Sequence, residues 1–146
     1  MNKKILLLGG DPNSINSEII YKIWKKLTKT ERKKIYLLAN YELFIRQFKK
    51  LRYKIKVINV ENLNDNQNSY NLKIINIPLK FKNPFKVSDK NSTKYVLNSL
   101  KLGHKLAINK NVKGVINCAI NKRLIKSSKK IGVTEFLASQ CNIKNN

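Results

Sequence analysis

The residues that could do chemistry are few, and the first of them form a turn. Gly9-Gly10-Asp11-Pro12-Asn13-Ser14 follows a short apolar run and precedes a stretch of helical periodicity, so it joins a strand to a helix. Gly10 lets the backbone turn sharply, Pro12 fixes a bend, and Asp11 can cap or orient a neighbour. The later glycines of G-x-G-x-x-G are missing and no Gly-Lys-Ser/Thr follows, so the turn is neither a dinucleotide fingerprint nor a P-loop. A tight connection with no chemistry stays open as the alternative. Asp11 and Glu18, on either side of the turn, suit a cap and a helix-dipole partner better than an acid/base pair.

His104 is the one histidine, and a single imidazole cannot make a metal site or complete a Ser-His-Asp set away from its own helix. Cys118, in a turn after a strand, is a reactive thiol only if something lowers its pKa; a small, buried residue is the simpler reading. Lys122, just beyond the same strand and beside a helix start, is the best phosphate contact, with one more solvated lysine as the alternative. Trp24, Tyr36 and Tyr41 fit packing better than a base-stacking platform.

The net charge of +23 suggests nucleic acid, anionic lipid or a phosphorylated ligand. Of the 31 basic residues, however, 27 are lysine and only 4 arginine. Base readers and phosphate clamps depend on the planar, bidentate guanidinium, and the lysines are spread over the whole chain. A compositionally biased, solvated surface is favoured, with a basic binding protein for nucleic acid or other anions as the second reading. Cys118 and Cys141 have no metal-type spacing and no CxxC, which fits a reduced, cytoplasmic setting. The apolar run at residues 5–8 is too short for a signal-peptide core or a membrane span.

Elements able to position these residues follow from periodicity. Continuous apolar runs at 3–8 and 34–39 read as strands buried on both faces; 112–116 is a last clear strand, and 54–60 and 72–79 are two more candidates. Helical spacing runs through Ile15, Ile19, Ile20, Ile23, Trp24 and Leu27, with Asn16 or Ser17 as cap, and returns at 41–51. One long helix spans about residues 88–109, capped by Ser88 or Asp89; shorter ones fall at 121–130 and 134–140, and 61–71 is a polar loop. Alternating strands and helices predict an α/β fold with a mainly parallel sheet and helices on both faces. Ligands in such sheets gather at the carboxyl ends of strands, after Leu8, Ala39 and Ile116.

Three segments together carry a family resemblance. Gly10, Asp11, Pro12, Ile15 and Glu18 match the G-D/E-P-x-G-I-G-P-E/D pattern of the 4-hydroxythreonine-4-phosphate dehydrogenase family, with Ser14, Asn16 and Ser17 departing from it. Gly114-Val115-Ile116-Asn117-Cys118-Ala119-Ile120-Asn121-Lys122 resembles that family's A-L-I-T-G-P-V-H/N-K strand and loop; Lys122 is kept, and Asn117, Cys118 and Ala119 replace Thr-Gly-Pro. Gly132, Thr134, Glu135 and Phe136 agree with F-x-G-H-T-E-F/L, whose His-Thr pair contacts substrate, and Val133 stands where that histidine would.

The resemblance implies the N-terminal portion of a two-domain fold of the isocitrate and isopropylmalate dehydrogenase type, with residues 1–118 in the first α/β domain and 119–146 starting a truncated second. It further implies a homodimer that uses NAD or NADP and a histidine-held divalent metal. Such an enzyme oxidises and decarboxylates a phosphorylated hydroxy amino acid on the route to pyridoxal phosphate, with Thr134 and Lys122 as substrate contacts. This chain would cover less than half of such an enzyme and would be inactive alone.

Overall fold

The computed structural model describes residues 3–126 and 132–141. Its elements are β1 (Lys4–Leu8), α1 (Asn16–Lys26), α2 (Lys29–Lys34), β2 (Ile35–Ala39), α3 (Tyr41–Lys50), β3 (Val57–Val60), β4 (Leu72–Asn76), α4 (Asp89–Ala107), β5 (Val112–Asn117), α5 (Lys122–Lys126) and α6 (Val133–Gln140). The five strands form one sheet in the order β3-β4-β2-β1-β5, and every pairing is parallel.

The inner strands are apolar without alternation because both of their faces are covered. Leu6 and Leu8 of β1, Tyr36 and Leu38 of β2 and Ile75 of β4 face one core, closed by Tyr95, Val96 and Leu100 of α4, by Leu124 and Ile125 of α5, and by Phe136 of α6. Leu37, Ala39, Leu72 and Ile74 face the other, closed by Ile20 and Trp24 of α1 and by Leu43, Phe44 and Phe48 of α3. Gly103 lets α4 lie close on β1: a Cβ there would sit 3.0 Å from a Leu8 methyl. The expected α/β class, with helices on both faces of a parallel sheet, is the observed one.

Local capping sets several boundaries. The Ser88 hydroxyl accepts the Asn91 N–H and starts α4, and the Asn40 side chain accepts the Leu43 N–H and starts α3. The short helix α2 was not anticipated. It has no buried residue and rests on a capping box, in which the Thr28 hydroxyl accepts the Glu31 N–H while the Glu31 carboxylate accepts the Thr28 N–H at 2.7 Å.

Three expectations change in detail. The strand predicted at 54–60 narrows to Val57–Val60, with Ile55 and Val57 packed against the second core and Asn59 exposed. The strand predicted at 72–79 ends at Asn76, although the Ile77 N–H still reaches the Ala39 carbonyl at 2.8 Å. Neither Asn16 nor Ser17 caps α1: Ile15 holds that position without a side-chain bond, and both polar residues are buried in the first turn. Residues 127–131, where the predicted basic helix was to end, lie outside the described residues. The polar 61–71 loop is organised by Asp65, whose carboxylate accepts the Glu61 and Asn62 N–H groups and whose carbonyl accepts the Tyr36 hydroxyl.

Candidate functional site

Strand order places β1 between β2 and β5, so the turn after Leu8 sits between the ends of its two neighbours. Gly10 has φ +73°, and a Cβ there would fall 2.5 Å from both the Ala119 carbonyl oxygen and Asn16 Nδ2. Only glycine satisfies both the backbone and the space. The Ala119 carbonyl accepts the Asp11 N–H at 3.0 Å and Asn16 Nδ2 at 2.8 Å; the same Nδ2 also donates to the Gly9 carbonyl at 3.1 Å. The first loop and the loop after β5 are thus one joint, with a buried asparagine at its centre.

The rest of the turn is anchored as firmly. The Asp11 carboxylate accepts the Asn13 N–H, an Asx turn, and the Ser14 hydroxyl donates to the Asp11 carbonyl. Asn13 exchanges two bonds with the backbone of Val87, at 2.8 and 2.7 Å. Buried Gln47 donates from Nε2 to the Pro12 and Pro84 carbonyls. Beyond the joint, Arg123 of α5 meets Asp89 at the start of α4 (3.2 Å), and both are exposed. The polar residues of this rim therefore fix loops against one another. Glu18 is a helix-surface partner of Lys22 at 2.8 Å, whose hydrogen bond and charge hold its carboxyl below the usual range.

Lys122 and Thr134 are both exposed, Lys122 as the first residue of α5 and Thr134 in the first turn of α6. Each short helix packs on α4. Neither side chain makes a hydrogen bond or ion pair with a described residue, so both are free to meet a ligand, although nothing joins them to each other. Val133 packs against the core as a partly buried apolar residue, in place of the polar group that the resemblance would put there.

Cys118 is half-buried, and burial pushes its thiol up to about 11, so it is no nucleophile at neutral pH. His104 Nε2 lies 2.9 Å from Cys141 Sγ, a contact with no local sequence signal. Among the described residues no group of three or more His, Cys, Asp or Glu could hold a metal ion. The described residues therefore do not fit the implied divalent metal. Sequence reasoning also missed the role of Asn16 and the Arg123–Asp89 pair; the only available hint was an arginine placed directly after Lys122 in a chain poor in arginine.

A parallel sheet in which the strand next to the edge strand β5 ends in a glycine turn, locked to the loop after β5, defines a protein of the α/β class. Solved structures agree on the fold. A 4-hydroxythreonine-4-phosphate dehydrogenase from Burkholderia phymatum superposes with a TM-score of 0.84 at 16% identity, over 99% of this chain and 45% of its own. The enzyme of that name from Klebsiella pneumoniae gives 0.78 at 19% identity, over 94% and 44%. A terephthalate 1,2-cis-dihydrodioldehydrogenase from Burkholderia xenovorans LB400 gives 0.69 at 19%, over 97% and 41%. Residues 30–146 match the family described as pyridoxal phosphate biosynthetic protein PdxA, and the chain belongs to that family.

The matched stretch contains the 114–122 and 132–136 segments, whereas the opening turn precedes it. The chain spans less than half the length of these structural relatives. Comparison with curated proteins finds no match. No helix among the described residues is long and apolar enough to cross a membrane.

Proposed function

We propose that this chain is the first part of a 4-hydroxythreonine-4-phosphate dehydrogenase-like oxidoreductase. In this reading it acts in the cytoplasm as a homodimer, uses NAD or NADP with a divalent metal, and serves pyridoxal phosphate biosynthesis. The supporting observation is the joint at Asn16 and Ala119, which seats the loop leading to Lys122 at the carboxyl end of the sheet, where α/β folds bind ligands. Lys122 offers an ammonium to the substrate phosphate, and Thr134 a hydroxyl to its polar end. Residues 119–146 form the lead into the second domain.

Metal ligands are not supplied by the described residues, so the 146-residue chain is expected to be inactive by itself. The test is direct. Purified chain is given 4-phosphohydroxythreonine, NAD or NADP and a divalent metal, and reduced nicotinamide is followed by absorbance. Turnover by this chain would refute the claim of inactivity. Calorimetric binding of the phosphorylated substrate that is unchanged in Lys122→Ala and Thr134→Ala would refute the site.

A further inference from the structure

A small pocket of about 210 Å³ lies at the amino ends of β3 and β4, the end of the parallel sheet opposite the Gly10 joint. Its cations come from three separate segments: Lys25 from α1, Arg32 from α2, and Lys54 and Lys56 from the stretch that leads into β3. No acidic residue is among the described ones that line it, and none of these cations forms an ion pair with a described residue. The acids of the two neighbouring helices are engaged elsewhere, Glu18 with Lys22 and Glu31 in the Thr28 cap.

Aromatic rings supply the walls. Tyr21 is braced by Tyr53, with the rings stacked at 4.1 Å between centres, and Tyr70, beside Asn71, is 44% exposed. Arg32 is held in place ahead of any ligand: Nε donates to the Trp24 carbonyl at 3.0 Å, and the guanidinium lies 5.7 Å from the Trp24 ring centre. The other end of its fork makes no hydrogen bond to a described residue. Lysines are abundant everywhere in this chain, whereas Arg32 is one of only 4 arginines, so composition does not account for a preorganised guanidinium at this place.

Charge and size together select an occupant. Cations gathered around one pocket repel one another, and a doubly charged anion relieves that repulsion. A benzene ring fits a cavity of about 150 Å³, so this pocket takes one ring with a phosphate, whereas a purine nucleotide overfills it. We propose that the pocket is a binding site for a small phosphomonoester bearing a single planar ring, with its phosphate on Arg32, Lys54 and Lys56 and its ring against Tyr70. The site is separate from Lys122 and Thr134 and stands whether or not the dehydrogenase reading does.

Titration calorimetry on the 146-residue chain, at about 150 mM salt to screen diffuse attraction, compares phenyl phosphate with inorganic phosphate and adenosine monophosphate. Phenyl phosphate should bind at least about tenfold more tightly than either. Lys54→Gln with Lys56→Gln, both at exposed positions, should weaken it by about tenfold or more, and removal of the same charge from α4 by Lys101→Gln with Lys105→Gln by no more than about twofold. If the first pair lowers the melting temperature, Arg32→Gln gives the same readout. No binding of phenyl phosphate overturns the proposal, as does an equal loss in the two lysine pairs. Inorganic phosphate binding as tightly would remove the ring from the site, and adenosine monophosphate binding as tightly would remove the size limit; either result also overturns it.

Discussion

Replacing Lys73 with methionine should remove a contribution to stability that grows as pH increases from about 8 towards 10.5. Lys73 is the second residue of β4 and is 0% exposed. Nζ donates to the Lys33 carbonyl at 2.6 Å and the Ser69 carbonyl at 3.2 Å, and stands 4.4 Å from the centre of the Tyr36 ring. Neither recorded acceptor is a carboxylate. Burial, with a smaller push from the charge of Lys4, lowers its pKa from 10.5 to about 8.

The sign follows from proton counting. Between about 8 and 10.5 the unfolded chain holds the lysine proton and the folded chain releases it, so stability increases with pH across that window. Below about 8 both states are protonated, and the full cost of the buried charge is present. The shift sets a ceiling of roughly 3 kcal/mol on the stability recovered across that window.

Cys118 and Tyr36 act in the opposite direction as their thiol and hydroxyl begin to ionise in the unfolded chain, but they are common to both proteins. The difference between wild type and Lys73→Met therefore isolates the lysine. Urea unfolding followed through Trp24, the only tryptophan, measures that difference at steps from about pH 7.5 to about 9.5. Methionine also leaves two carbonyls without their donor, a constant penalty, so the slope is diagnostic and the absolute stability is not. Equal slopes in the two proteins would refute the reasoning.

Gly10→Ala forces a Cβ into the Ala119 carbonyl at a positive φ and should cost about 2 kcal/mol or more, read as a drop of several degrees in melting temperature. Asn16→Ala strips donors from the Gly9 and Ala119 carbonyls and should cost about 2 kcal/mol; a melting temperature within a degree or so of wild type would sink the joint as a structural element. Alkylation by iodoacetamide near neutral pH should modify exposed Cys141 well before half-buried Cys118, whose thiol is pushed up to about 11, as peptide mapping would report. Retention on nucleic acid should be shallow and sequence-independent; a log-log salt slope steeper than about −5, implying five or more phosphates engaged, would favour the nucleic-acid reading.

Much of the fold could be read from the sequence because the inner strands and main helices advertise themselves locally. The runs around Leu6 and Leu37 are apolar on both faces, and Leu43, Phe44 and Phe48 recur at helical spacing. Periodicity is one-dimensional, so it could not give the strand order or show that β5 would join β1. The misreading of Asn16 has the same origin. An asparagine ahead of a helix looks like a cap, and its true partner, the Ala119 carbonyl, lies 103 residues away.

Lys73 was hidden for a different reason: among 27 lysines, one more gave no sign of being fully buried. Helix α2 was missed because it has no apolar face, although Thr28 and Glu31 three residues later spelled out its start. The candidate site was less legible than the fold. Lys122 and Thr134 stood out through sequence resemblance, whereas the hydrogen bonds that organise their surroundings connect residues far apart in the chain.

The position of β1 has a consequence for synthesis of the chain. It is the first of the five described strands made, yet its β5 neighbour is the last of them, so one side of β1 stays unpaired while roughly a hundred residues are translated. At about 5–20 residues per second this lasts on the order of 5–20 s, during which Leu6, Leu7 and Leu8 line an open edge. A nascent chain of this kind depends on the ribosome-bound holding machinery more than a hairpin protein of equal size, and a stall before residue 112 would release it with that edge bare.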